Sequence, residues 1–237
     1  MGFRAAKMEV VVTGPYAHNH VNGSDELIVE TVAACREAVG PDFVMMVDVC
    51  YCWTNAKEAL RVLNRLEPYD LFFVETPLQL DDLDGYAFLH DHSPIRIAAG
   101  ELQNSRFEFQ ELMDRGKVDV AQPDVGRVGG LTEARRVCDM AADRGRLIVP
   151  HCWKTGIGIA ATAHLSAATV HCPYIEFLPA RLAESGLRRE LVIDELEMEN
   201  GQIAIPQRPG LGIQLNYDAL EKYKVTGLQP TRQAQRA

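Results

Sequence analysis

Three apolar runs in this chain deliver a carboxylate where each would emerge from a strand: "VMMVDVC" ends at Asp48, "LFFVETP" at Glu75 and "IRIAAGE" at Glu101. Brought together, three acids would repel one another and titrate high unless a cation joined them. Oxygen donors with open positions suit a hard divalent ion, so the set reads as ligands of Mg²⁺. The competing reading, three unrelated solvated strand ends, weakens because the pattern recurs. Two further tips carry base chemistry. "VDVAQPD" places Asp124 past one apolar run, and "RLIVPH" places His151 past the next. An acid on the neighbouring strand would orient the ring and raise its basicity, as a general base requires. His18, His20, His90, His92, His164 and His171 lack that setting and read as structural. Glu176, in "IEFLPA", would either hydrogen-bond a substrate oxygen or hold a neighbouring backbone.

The elements that must position these groups alternate along the chain. Strand candidates are 5–13, 44–50, 71–75, 95–101, 118–122, 147–150 and 175–178. Helical periodicity fills 28–39, 56–66, 80–90, 105–114, 131–144 and 157–171. The strands are near-continuous apolar runs, as expected when helices cover a parallel sheet. Such alternation argues for β/α units with right-handed crossovers. No G-x-G-x-x-G follows a strand; Val128-Gly129-Gly130 comes nearest without the spacing. A barrel is therefore expected, with every strand tip opening on one face. After residue 178 the rhythm breaks into a hairpin over 195–205 turning at Asn200-Gly201, then a short acidic helix near 217–223 and a frayed end. The loop 16–26 is a candidate lid.

Composition narrows the partners. Net charge is −9 with no basic stripe, which argues against nucleic acid. No run approaches the roughly 20 apolar residues of a membrane span, and the N-terminus lacks a signal-peptide core. The expected setting is the cytoplasm, without a membrane partner. The cysteines (Cys35, Cys50, Cys52, Cys138, Cys152, Cys172) are scattered without zinc-ribbon spacing and read as free thiols.

The ordered set Asp48, Glu75, Glu101, Asp124, His151 and Glu176, with "QPDVGRVGGLTEARRV", "VPHCW" and "GQIAIPQRPGLGIQL", resembles the mandelate racemase subgroup of the enolase superfamily over nearly the whole chain. The resemblance implies a modified TIM barrel, (β/α)7β, in which Mg²⁺ on Asp48, Glu75 and Glu101 receives a substrate carboxylate and stabilises an enediolate. It implies His151 as base, Asp124 as its orienting acid, and Glu176 at the substrate carboxylate. Relatives carry K-x-K on the second strand; here the triplet is Lys7-Met8-Glu9. Period two points Lys7 and Glu9 to one side, inward. With an acid in the second basic position, one-face chemistry is favoured: dehydration of a sugar acid, His151 protonating the departing β-hydroxyl. Alternatively Glu9 pairs with Lys7 and neither does chemistry. Cys50 stands where relatives often have Asn, altering the metal's surroundings or the substrate pocket. The rival activity is racemisation or epimerisation of a 2-hydroxy acid with Lys7 or Glu9 as second base; a catalytically incomplete or structural barrel subunit is the rival of another class. On this resemblance residues 1–190 form a barrel lacking its N-terminal capping domain and first strand, and 191–237 form a segment that would pack on a cap. Unpaired sheet edges make a homo-oligomer the expected state.

Overall fold

The computed structural model describes residues 2–11, 24–183, 185–225 and 227. Residues 12 and 13 of the first strand candidate, 16–23 of the candidate lid and 228–237 of the candidate frayed end lie outside them. Asp25 and Glu26, assigned above to the lid, instead open a helix. Strands β1 (Ala5–Glu9), β2 (Val44–Asp48), β3 (Leu71–Glu75), β4 (Ile97–Ala99), β5 (Val120–Ala121) and β6 (Leu147–Ile148) form one parallel sheet in sequential order. The crossovers carry α1 (Asp25–Val39), α2 (Ala56–Leu66), α3 (Leu83–His92), α4 (Arg106–Asp114) and α5 (Leu131–Asp143), and α6 (Gly156–Ala167) follows β6. Sequential winding is that of a barrel; a doubly wound sheet would reverse its order at a switch point.

Helix starts follow their caps. Ser105 and Glu108 form a reciprocal capping box on α4, and the Asn55 side chain accepts from the first N–H groups of α2. Asp82 accepts from the Gly85 N–H, so α3 begins at Leu83 and not at Leu80. The periphery holds α7 (Gly186–Glu190), a hairpin of β7 (Met198–Glu199) and β8 (Gln202–Ile203), and α8 (Tyr217–Lys222). Asn200 and Gly201 turn the hairpin with φ of 53° and 80°, the paired positive values of a type I′ turn. Among the described residues no helix is long and apolar enough to cross a membrane.

The seventh strand candidate, 175–178, joins no ladder. Pro173 and Pro179 bracket it without N–H groups, and the Leu178 carbonyl accepts from Arg188 Nη2 at 2.8 Å instead of from a strand. The segment still closes the interior: Glu176 reaches Lys7 of β1 at 3.0 Å, from the opposite end of the sheet order.

Apolar residues serve two cores. Val47, Val74, Ile97, Ala121 and Ile148 pack outward against helix residues such as Val32, Leu63, Phe109 and Val137. Met46, Phe73, Ala98, Val120 and Val149 point inward and form a separate buried cluster. This explains the unbroken apolar runs: both faces of each strand are covered. Phe73 has no exposed surface and is the one aromatic side chain among the fully buried members of the inner cluster. Phe73→Ala is expected to cost about 3–5 kcal/mol of stability, read by urea unfolding.

Candidate active site

Strand parity builds the site directly on that inner layer. Two residues beyond Met46, Phe73, Val120 and Val149 come Asp48, Glu75, Gln122 and His151, all inward and one layer nearer the strand tips. Lys7 joins them from β1, its Cα opposite Met46. Glu101 breaks the parity. Gly100, with φ of 133°, intervenes and redirects the chain. A Cβ at Gly100 would lie 2.6 Å from Cε1 of buried Phe109. Gly100→Ala is therefore expected to lose about 2 kcal/mol or more, measured by chemical unfolding, from overpacking plus a disfavoured backbone.

The turns behind the other acids are also left-handed, and there without glycine. Cys50 and Tyr51 have φ of 44° and 60°, and Thr76 has 47°. Left-handed non-glycine backbone is uncommon, most of all at a β-branched residue, and persists where surrounding bonds over-determine it. Here those bonds serve the site. Thr76 Oγ1 and the Cys50 N–H donate to Asp48 Oδ1 at 2.8 and 2.9 Å, and the Tyr51 hydroxyl donates to Glu101 Oε1 at 3.1 Å. Burial, then Asp48 and Glu9, push the Cys50 thiol up, so it stays protonated beside the acid.

Lys7 ties three acids together. Its Nζ lies 2.8 and 2.7 Å from the Glu75 oxygens, 3.0 Å from Glu176 Oε1 and 3.8 Å from Asp48 Oδ2. Gln122 Nε2 adds a bond of 2.6 Å to Glu75. Burial pushes the Glu75 carboxyl up to about 7 against the pull of Lys7. Burial also opposes the Lys7 charge, but Glu75, Glu176 and Asp48 outweigh it and hold the ammonium above its ordinary value. The lysine thus stays charged, and Glu75 bears the strain of burial. Glu176 Oε2 accepts from the Cys152 N–H, holding the backbone next to His151. Burial raises its carboxyl, but Lys7 and His151 bring it below the usual range.

His151 stands between two carboxylates. Nδ1 is 2.7 Å from Asp124 Oδ2, and Nε2 is 3.1 Å from Glu101 Oε2. Burial pulls the imidazolium down; the Asp124 hydrogen bond, with Glu176 and Glu101, more than reverses this, and the ring titrates above an ordinary histidine. Asp124 is 1% exposed and also accepts from the Gly126 N–H at 2.8 Å. Burial raises its carboxyl, yet His151 and Lys154 bring it below the usual range.

The three acids grouped as one ligand set are thus divided: Asp48 and Glu75 share Lys7, while Glu101 faces Tyr51 and His151. Among the described residues no three acidic, histidine or cysteine side chains stand ready-made around one point. The donor chemistry nonetheless fits a hard cation. Asp48 and Glu75 are direct partners in the β2–β3 register, Glu101 follows the next strand, and all donors are oxygens. Among the described residues the fixed cations in ion-pair contact with Asp48, Glu75, Glu101, Asp124 and Glu176 are Lys7 and Lys154, which leaves excess negative charge.

Residues 1–219 match the family described as "Enolase C-terminal domain-like". The chain belongs to that family. Within it, the chain is 34% identical over 224 residues to the arabinonate dehydratase of Saccharolobus solfataricus, covering 94% of this chain and 56% of that protein. It is 34% identical over 199 residues to the D-galactarolactone cycloisomerase of Agrobacterium fabrum, covering 82% and 52%. Among solved structures, L-talarate dehydratase from Polaromonas sp. JS666, complexed with Mg and L-glucarate, superimposes with a TM-score of 0.78 at 28% identity over 93% of this chain and 55% of that one. The chain spans about half the length of the curated relatives it matches. The family resemblance and the barrel class read from the sequence both hold.

Proposed function

We propose that this enolase-family barrel performs the proton abstraction of a sugar-acid dehydratase, acting on a small polyhydroxy carboxylate. The observation that carries the reading is the buried His151–Asp124 pair, 2.7 Å apart, with the ring's other nitrogen turned to the acid cluster. Neutral His151 takes the proton α to the substrate carboxylate at Nε2, while Nδ1–H donates to Asp124 and fixes the tautomer. The carboxylates that hold the imidazolium also strengthen the ring as a base. Once protonated, the same nitrogen faces the departing β-hydroxyl and returns a proton to it. The Lys7 ammonium places fixed positive charge where charge develops on the substrate oxygens. Asp48, Glu75 and Glu101 would hold a divalent cation such as Mg²⁺, which supplies, when bound, the larger share of that stabilisation. The Mg-bearing talarate dehydratase relative supports that assignment.

The rival reading, epimerisation with Lys7 as second base, has less support, because three carboxylates keep Lys7 charged. Reaction of a sugar-acid panel in D₂O with Mg²⁺ separates the two. Dehydration yields a 2-keto-3-deoxy acid and no epimerised substrate; a deuterated epimer without keto acid would overturn the proposal.

A further inference from the structure

Gln122 carries no acid–base chemistry, yet it touches one of the proposed cation ligands directly. It follows β5 on the inward side, two residues past Val120, and is 1% exposed. Its backbone is fixed on both flanks. The N–H donates to the Ala99 carbonyl at 3.0 Å, a close approach that Gly100 permits, since a Cβ there would lie 3.1 Å from that nitrogen. Pro123 follows and favours extended backbone at Gln122, so the side chain keeps the inward direction of the strand. From there Nε2 donates to Glu75 Oε2 at 2.6 Å. An ionised carboxylate can only accept, which leaves the amide one orientation: nitrogen toward Glu75 and Oε1 away.

Two features separate this bond from ordinary packing. The first is the unused end of the amide: Oε1 is buried and, among the described residues, has no hydrogen-bond partner. A buried acceptor left unmade costs stability, and an apolar side chain like those of the layer beneath would avoid that cost. The second is the division of lone pairs on Glu75. Lys7 takes one site on each oxygen, at 2.8 Å from Oε1 and 2.7 Å from Oε2, and Gln122 takes a further one on Oε2. A carboxylate offers about two sites per oxygen, so Oε2 is filled and Oε1 keeps one open. Lys7 does not make that choice, because it contacts both oxygens and also reaches Asp48 and Glu176.

We infer that Gln122 is a positioning residue of the cation site: its amide holds Glu75 so that a single oxygen, Oε1, is presented to the ion, and this selects Mg²⁺ over larger divalent cations. Mg²⁺ is small and demands near-ideal octahedral geometry, whereas Ca²⁺ takes roughly six to eight oxygens and accepts both from one carboxylate. With Oε2 released, Glu75 is free to turn both oxygens to a cation, which suits Ca²⁺. The inference rests on the assignment of Asp48, Glu75 and Glu101 as ligands.

Isothermal titration of the chelator-treated chain with Mg²⁺ and, separately, with Ca²⁺ reads the effect without turnover. In Q122M, Mg²⁺ is expected to bind about 10–100-fold more weakly, the usual loss when the group behind a ligand is removed, with Ca²⁺ much less affected. The preference for Mg²⁺ over Ca²⁺ therefore falls by about tenfold or more. Q122N keeps a buried amide but is one carbon too short to reach Glu75, and it repeats the fall should methionine disturb the packing. Equal weakening of both ions in both variants would make Gln122 a packing residue only and overturn the inference, as would unchanged Mg²⁺ affinity. Failure of the unmodified chain to bind either ion would overturn the ligand assignment itself, and the inference with it.

Discussion

His151→Asn is expected to reduce turnover of a sugar acid by about 10²–10⁴-fold, the usual contribution of a positioned general base. Asparagine approximates the ring's size and can still donate to Asp124, but its amide cannot accept the α-proton at neutral pH. Because the acids and Lys7 are untouched, the Mg²⁺-induced rise in melting temperature should persist in the variant. Turnover followed by keto-acid formation, with a thermal melt in the presence and absence of Mg²⁺, reads both quantities. A loss of less than about tenfold would mean that another group takes the proton. Lys7 would be first in line, although the carboxylates that keep it protonated argue against that outcome.

Much of this arrangement was legible because barrel strands obey a simple parity. Once "VMMV" and "LFFV" are read as strands covered on both faces, Asp48 and Glu75 must share the side of Met46 and Phe73, and that side proves to be the interior. The same rule extends from Val120 to Gln122, whose amide reaches Glu75 at 2.6 Å. Sequence reading passed over Gln122 because an amide does not announce acid–base chemistry. The signal was its place two residues past an inward valine. Glu101 was found for a less complete reason. It lies one residue out of parity and faces the site because Gly100 redirects the backbone, so its side chain goes to His151 and Tyr51 and not to Asp48. The left-handed turns at Cys50, Tyr51 and Thr76 had no sequence signal, since none of these residue types favours positive φ. The strand expected at 175–178 is flanked by prolines: its hydrophobicity was right, but its Leu178 carbonyl goes to a side-chain guanidinium. Apolar pattern thus identifies which residues turn inward. Hydrogen-bond pairing, which pattern does not encode, decides which of them become ladder.

The charge balance around Lys7 makes the second large prediction. Lys7→Met removes the ammonium that faces Glu75, Glu176 and Asp48, leaving a fully buried Glu75 carboxylate beside two other acids. Stripping one partner from a buried ion pair strands the other, and the cost is expected to be about 3–5 kcal/mol in chelator-treated protein. For a chain of this size that corresponds to a fall in melting temperature of roughly 6–20 °C. The double variant Lys7→Met/Glu75→Gln should recover part of the loss, because the neutral amide no longer needs a counter-charge. A double-mutant cycle should therefore show a coupling energy of about 1–3 kcal/mol. Added Mg²⁺ provides an internal check: it should restabilise Lys7→Met, in which all three proposed ligands remain, far more than the double variant, in which Glu75 no longer carries charge. If the two single changes proved additive, Lys7 and Glu75 would be near neighbours without energetic coupling. The partner of the Lys7 charge would then have to be sought on Asp48 and Glu176 instead.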